Sequence, residues 1–137
     1  MSSSVGGVGD LSMFDLFRLE VEAQVAVLSD ELLSLDESPS SDKQLETLMR
    51  AAHSLKGAAR MVSVEPLVKI SHVMEDVFVA AQKGSVLLTS NDVDVLLSAV
   101  DKIVLISNVP EKGIEEWGNQ NNQLISDIVE SLETIIS

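Results

Sequence analysis

Apolar residues recur at steps of three or four along most of the chain, which is the spacing of one face of an α-helix. The first series comprises Phe14, Phe17, Val21, Val25, Leu28, Leu32 and Leu35. Ser12 and Asp15 have the spacing of a pair that caps a helix start. Serine and proline then cluster from Ser38 to Ser41. Because this cluster disfavours a continuing helix, the pattern predicts a first helix that ends before it.

Two more series of the same kind follow the break. A second helix is predicted to begin near Ser41, with Gln44 as its capping-box partner. Its apolar face is Leu45, Leu48, Met49, Ala52, Leu55, Ala59 and Val62. A third helix is predicted to start after Ser63, with Pro66 in its first turn, and to stop at Gly84. Its inward residues are Leu67, Ile70, Met74, Val77, Phe78 and Ala81.

The carboxyl-terminal third of the chain has two further helical segments. The fourth helix opens at residues 89–92, and the loop that follows it spans residues 108–113. The residues predicted to face inward on the fourth helix are Val93, Leu96, Leu97, Val100, Ile103 and Val104. A last helix is predicted to run to about Ile136, with a polar first part at residues 118–123. Its inward residues are Leu124, Ile128, Leu132 and Ile135.

Helices of this length joined by short loops predict an all-α fold, an antiparallel four-helix bundle with an additional C-terminal helix. The methionine and phenylalanine side chains are expected in its core. We expect one domain over residues 11–137, preceded by a flexible lead-in over residues 1–10. Those ten residues have neither a basic residue nor an apolar run, so no signal peptide is expected.

Composition and charge exclude several classes of function. The chain has 137 residues, of which 22 are acidic, 9 are basic and none is cysteine, so its net charge is −13. That charge argues against nucleic acid and anionic membranes as partners. The missing cysteines exclude disulfides, thiolate metal sites and a cysteine nucleophile, and a reducing, cytoplasmic location is expected. No apolar run reaches the roughly 18 residues that a membrane span needs.

The charge is reversed in the middle of the chain. Residues 43–83 contain six basic and four acidic side chains, a balance of +2, whereas the rest carries −15. A mildly basic segment within an acidic chain favours an anion site there.

The chain has two histidines, and the first lies in the second predicted helix. At about 100° per residue, the apolar face of that helix centres near Ala52, which places His53 roughly 100–120° away on the flank. Gly57 and Arg60 share this flank, and Lys56 lies between it and the core. Glycine inside a helix costs about 1 kcal/mol relative to alanine, so Gly57 suggests that a partner approaches closely here.

The second histidine occupies the same kind of flank on the third helix. His72 and Glu75 are three residues apart and therefore neighbours on one face. If the two flanks adjoin, His53, Lys56, His72 and Glu75 can form one polar network. Glu75 would accept a hydrogen bond from Nδ1–H of His53 and leave Nε2 as a nucleophile, while Lys56 would offset the charge of a phosphoryl group.

Two short motifs carry a family resemblance. Residues 53–60 read HSLKGAAR, and residues 72–76 read HVMED. The first resembles the phosphorylation motif of histidine-containing phosphotransfer (HPt) domains. The second, with His72 placed 19 residues after His53, resembles the second motif of the amino-terminal HPt domain of CheA-type chemotaxis histidine kinases. The similarity extends over roughly residues 11–104.

The resemblance implies a phosphocarrier function in two-component signalling. It implies that His53 takes a phosphoryl group from the ATP-binding domain of a histidine kinase and passes it to an aspartate of a response-regulator receiver domain. It assigns Glu75, Lys56 and His72 to the network around His53, and Gly57 and Arg60 to docking. Ala58 departs from the glycine or serine of many HPt domains.

The sequence has no phosphate-binding loop for ATP. We therefore expect a part of a protein histidine kinase, and not a self-sufficient kinase, with ATP and Mg²⁺ supplied by partner domains and no cofactor held by this chain. A free-standing HPt protein is one alternative. The others are a zinc or iron site formed by His53, His72 and Glu75, and a non-catalytic interaction bundle that docks through Val68, His72, Glu75 and Val79.

Overall fold

Six α-helices make up nearly all of the computed structural model, which describes residues 11–37 and 41–137. They are α1 (Met13–Glu37), α2 (Asp42–Met61), α3 (Glu65–Gln82), α4 (Ser90–Ser107), α5 (Ile114–Gln120) and α6 (Asn122–Ile136). A short 3₁₀ turn, Glu111–Gly113, precedes α5. The predicted lead-in over residues 1–10 and the predicted break at residues 38–40 lie outside the described residues.

The caps predicted for the first two helices are present, and α4 begins with a capping box as well. Ser41 and Gln44 form a capping box at the start of α2, and Thr89 and Asp92 form another at the start of α4. Ser12 and Asp15 exchange the same pair of hydrogen bonds at the start of α1. Each box satisfies amide groups that the first turn of a helix leaves unpaired.

The turn between α2 and α3 and the end of α3 use unusual backbone conformations. Ser63 has a φ of 59°, which an L-residue seldom adopts, and it directs the chain from α2 into α3. Gly84, with a φ of 79°, follows α3 and stops it as predicted. These two turns set α3 antiparallel to α2 and α4.

Helices α1 to α4 form the predicted four-helix bundle: α2 packs against α1 and α3, and α4 packs against α1 and α3. The predicted additional C-terminal helix is present as α6, which packs against α3 and α4. The all-α fold is thereby confirmed. No helix among the described residues is long and apolar enough to cross a lipid bilayer.

The core contains most of the residues predicted to be buried. The residues of α2 and α3 that were predicted to be inside are buried, with three exceptions. Met49, Val62 and Ala81 are partly buried and pack against the core. Val104 was predicted to be inside and is exposed, whereas Ile106 is buried. The buried stripe of α4 follows Ile103 and Ile106, because α4 packs between α1 on one side and α3 with α6 on the other.

The last predicted helix is two helices. The chain breaks at Asn121, inside the predicted polar part, and separates α5 from α6. On α6 Leu132 is buried as predicted, but the other buried residue is Ile125. Leu124, Ile128 and Ile135, predicted to be inside, are only half-buried. The error arises because α6 lies on the outside of the bundle and buries a narrower stripe than a bundle helix.

Candidate functional site

The candidate site begins on α2, whose buried stripe determines where its polar residues lie. Ala52, Leu55 and Ala59 face the core. His53, one position beyond Ala52, is therefore turned outward, with 65% of its side chain exposed. Lys56 lies closer to the core, with only 12% of its side chain exposed.

A single carboxylate on α3 joins these two residues. Glu75 Oε2 lies 2.7 Å from His53 Nδ1, and Glu75 Oε1 lies 2.6 Å from Lys56 Nζ. The Glu75 side chain is only 14% exposed. The predicted adjacency of the two helix flanks is thus confirmed for these three residues.

The contact with Glu75 determines which ring nitrogen of His53 is available. An ionised carboxylate only accepts hydrogen bonds, so the neutral imidazole places its proton on Nδ1 and donates it to Oε2. Nε2 then has a free lone pair on a side chain that is mostly exposed to solvent. This arrangement suits a nucleophile that must reach a group bound to another molecule.

The ionised state of Glu75 is favoured by its two partners. Burial by itself raises the pKa of this carboxyl, but the contacts with Lys56 and His53 outweigh that effect and hold the pKa below its ordinary value of 4.5. Glu75 therefore remains a carboxylate, and keeps the His53 ring oriented, at neutral and mildly acidic pH.

His72 does not join this cluster, contrary to the prediction. Its Nε2 lies 3.6 Å from Asp76 Oδ2, and about half of each side chain is exposed. The hydrogen bonds of Glu75 among the described residues include none from His72. Side chains three residues apart on a helix differ in direction by about 60°. His72 is therefore turned away from α2, where Glu75 points, toward solvent and Asp76.

The predicted docking residues lie on the exposed side of α2. Gly57 is exposed within a regular helix, and a Cβ added to it would have no atom within 4 Å. The surface next to His53 is therefore open to a partner. Arg60 is exposed in the last turn, and Ala58 is half-buried.

An apolar cleft that the sequence pattern did not indicate reaches Ser54, the residue after His53. It has a volume of about 410 Å³ and lies between the start of α1 and the second half of α2. Its lining residues include Met13, Leu16, Ser54, Ala58 and Met61. Met13 and Met61 were expected in the core but are exposed. The exposure of Met61 could have been predicted from its position, because it lies off the buried face of α2 that Leu55 and Ala59 define.

A second, open hollow of about 390 Å³ lies directly at the histidine. It is bounded by Met49, Arg50, His53, Ser54 and Glu75. It provides space for a tetrahedral group at the ring without displacing the core. Among the described residues, no group of three or more histidine, aspartate or glutamate side chains is placed to hold a metal ion.

Comparisons with known proteins identify the family of this chain. The family model described as "Hpt domain" matches residues 12–105. The chemotaxis protein CheA of Borreliella burgdorferi is 33% identical over 91 residues, which is 66% of this chain and 10% of that protein. The sensor histidine kinase CheAY of Helicobacter pylori is 28% identical over 122 residues, 88% of this chain and 15% of that protein. The chain thus spans only a small part of the curated relatives it matches.

A solved structure has the same fold. It is the phosphorylated P1 domain of CheA3 in complex with CheY6 from R. sphaeroides, with a TM-score of 0.72 and 18% sequence identity. The match covers 90% of this chain and 97% of that one, a larger share of the chain than the family model matches. On the strength of that family match over most of its length, this chain belongs to the Hpt domain family.

Proposed function

We propose that this chain is a phosphocarrier in two-component, chemosensory signalling. His53 accepts a phosphoryl group from ATP bound to a histidine-kinase catalytic domain and donates it to an aspartate of a response-regulator receiver domain. The observation that carries the proposal is the bridge of Glu75 between His53 Nδ1 and Lys56, which leaves Nε2 free and exposed.

The forward step is an in-line displacement at phosphorus. The Nε2 lone pair of His53 attacks the γ-phosphorus, the Nε2–P bond forms, and the bond from phosphorus to the leaving oxygen of ADP breaks. The proton on Nδ1 stays in its hydrogen bond to Glu75. The ring gains positive charge as Nε2 bonds to phosphorus, and the adjacent Glu75 carboxylate stabilises it.

The return step reverses the same bonds. A carboxylate oxygen of the receiver aspartate attacks the phosphorus, and the Nε2–P bond breaks. His53 recovers its neutral form with the proton still on Nδ1. We propose that Lys56, whose Nζ lies 2.6 Å from Glu75 Oε1, offsets the charge of the phosphoryl oxygens. We propose that the partner domains supply ATP and Mg²⁺.

The relatives suggest the context. We propose that the chain is the phosphotransfer part of a larger, CheA-like or hybrid sensor histidine kinase and acts in the cytoplasm. It covers between 10% and 19% of the first relatives, and the similar P1 domain of CheA3 was solved phosphorylated and bound to CheY6. A free-standing phosphotransfer protein would use the same site.

The test is phosphorylation by a CheA-type kinase domain with labelled ATP. The wild-type chain should acquire an acid-labile label and lose it when a receiver domain is added. His53→Gln should not be labelled. His72→Gln should still be labelled, because its ring is not the acceptor. Label retained on His53→Gln would refute the assignment.

The two other classes of function make different predictions. A non-catalytic interaction bundle would bind its partner through α2 and α3 without ever being labelled. A metal site formed by His53, His72 and Glu75 would need His72 beside Glu75, but His72 contacts Asp76 instead. Neither explains why a single carboxylate orients an exposed imidazole and also holds an ammonium group.

A further inference from the structure

Ser71 on α3 has a hydroxyl group that the proposed mechanism does not use. The residue is fully buried, and its Oγ has no hydrogen-bond partner among the described residues. Several other helical hydroxyls bond to a carbonyl three or four residues earlier, as Ser107 does to Val104 and Thr47 does to Lys43. Enclosing a hydroxyl without a partner is unfavourable, so a state in which Ser71 is bonded would offset that cost.

The same helix carries a carboxylate acceptor, that of Glu75. Glu75 follows Ser71 by four residues and therefore lies on the same flank of α3. Helical side chains lean toward the amino terminus, so we expect the Glu75 side chain to incline toward the turn that contains Ser71. Glu75 Oε1 is itself enclosed and has no hydrogen bond besides its ion pair with Lys56. The hydroxyl of Ser71, an unused donor, and Oε1 of Glu75, an acceptor with one ion-pair partner, therefore belong to residues one helical turn apart.

Phosphorylation changes the demands on Lys56. A phosphoryl group on His53 Nε2 places negatively charged oxygens beside the ammonium group. When Lys56 turns to those oxygens, Glu75 Oε1 loses its ion-pair partner while still enclosed. An enclosed carboxylate oxygen without a partner is costly, and Glu75 would then orient the His53 ring less firmly.

We propose that Ser71 is a positioning residue for the phosphorylated state, its hydroxyl rotating to donate to Glu75 Oε1 when Lys56 turns to the phosphoryl group. The exchange breaks and forms only hydrogen bonds and ion pairs, and no proton is transferred. Glu75 Oε2 continues to accept from Nδ1 of His53. The inference rests on the proposed function for its biological setting, but the exchange itself can be tested without phosphorylation.

The first test is a double-mutant cycle on the unphosphorylated protein. Lys56→Met removes the ammonium group, so Ser71 should become the donor to Glu75 in that background. Ser71→Ala should then lower the folding equilibrium constant about tenfold, but should change it less than about threefold in the wild-type background. Ser71→Thr, which keeps a hydroxyl, should have a similar effect in both backgrounds. Equal effects of Ser71→Ala in both backgrounds, measured by urea unfolding, would overturn the exchange.

The second test measures the phosphorylated state directly. With a kinase domain, ATP and ADP, the equilibrium level of phosphorylated His53 relative to the unmodified chain should be about five- to tenfold lower in Ser71→Ala. Ser71→Thr should stay close to the wild type. If the wild type is never labelled at His53, the proposed function fails, and the cycle above still decides the exchange. If the wild type is labelled and Ser71→Ala is labelled to the same level, the positioning role of Ser71 is wrong.

Discussion

At the scale of single residues, the chemistry of the site depends on one partly enclosed carboxylate. Glu75 contacts His53 with one oxygen and Lys56 with the other, so it orients the imidazole and keeps the ammonium group near it. Its pKa lies below the ordinary value because these contacts outweigh the effect of burial. A depressed carboxyl pKa means that ionisation stabilises the folded state.

Replacing Glu75 by glutamine should therefore change how stability depends on pH. The contribution of Glu75 is fully present above its unfolded-state pKa and is lost as pH falls through its lower folded-state pKa. The difference in free energy of unfolding between wild type and Glu75→Gln should thus shrink on acidification below about pH 4.5. Urea unfolding across this range measures it.

Glu46→Gln is the matched control, because Glu46 is an exposed carboxylate paired with Arg50 within one helix. The free energy of unfolding of Glu46→Gln should differ little from that of the wild type, because exposed ion pairs contribute little to stability. A Glu75→Gln difference that does not vary with pH would show that ionisation of Glu75 does not stabilise the fold.

Gly57 is the second residue with a specific expectation. Nothing in the free chain lies within 4 Å of an added Cβ, so Gly57→Ala should raise the free energy of unfolding by about 0.5–1 kcal/mol through helix propensity. Phosphotransfer to a receiver domain should become slower, because the added methyl group lies on the surface that the partner approaches.

Ala58→Gly is the neighbouring control and should lower stability by a similar amount. Urea unfolding and a timed transfer assay separate the two effects. A Gly57→Ala protein with unchanged transfer would mean that Gly57 is not part of the docking surface.

At the scale of helices, the site depends on how firmly α2 and α3 are held together. α3 lies between α2 and α6, and α6 covers the side of α3 turned away from α2. Leu132 of α6 is fully buried in the common core. The family match ends at residue 105, before α6 begins, yet this helix supports the one that carries Glu75.

Truncating Leu132 should consequently destabilise the whole bundle. Leu132→Ala should reduce the free energy of unfolding by about 3 kcal/mol, through lost burial and the cavity it leaves. Leu33→Ala, at an exposed leucine of α1, should change it by less than about 0.5 kcal/mol. Urea unfolding measures both. A loss below about 1 kcal/mol for Leu132→Ala would indicate that α6 is dispensable for the bundle.

At the scale of the whole molecule, charge is divided unevenly between scaffold and site. The net charge is −13, while the segment that contains both histidines carries +2. The acidic scaffold repels itself in the compact state, and the ion pairs at the described surface, such as Arg50–Glu46, are exposed and weak.

Salt should therefore stabilise the fold. Raising NaCl from about 10 mM to about 1 M shortens the screening length from about 30 Å to about 3 Å, which weakens the repulsion between distant acidic groups more than the close contacts around Glu75. The urea midpoint at neutral pH should rise with salt. A midpoint that falls over this range would mean that attractive ion pairs dominate the electrostatics of the folded chain.

The periodicity of apolar residues was sufficient to predict the bundle, because each helix must bury one stripe of its surface. The capping box at Ser41 was equally local and was predicted from residues three positions apart. The flanks of His53 and Glu75 also followed from helical rotation. All of these features depend on neighbours within about one turn, which is the range over which the sequence pattern is informative.

The sequence by itself therefore determined the helices, their buried stripes and the residues that could meet at the site. Only the tertiary structure decided that Glu75 bridges His53 and Lys56 while His72 contacts Asp76, because the rotation of α3 against α2 is set by packing along both helices. It also decided that Arg18 of α1 donates to the carbonyls of Ser107, at the end of α4, and of Val109, just after it. Contacts between residues far apart in the chain depend on the shape of the assembled core, and no local spacing encodes them.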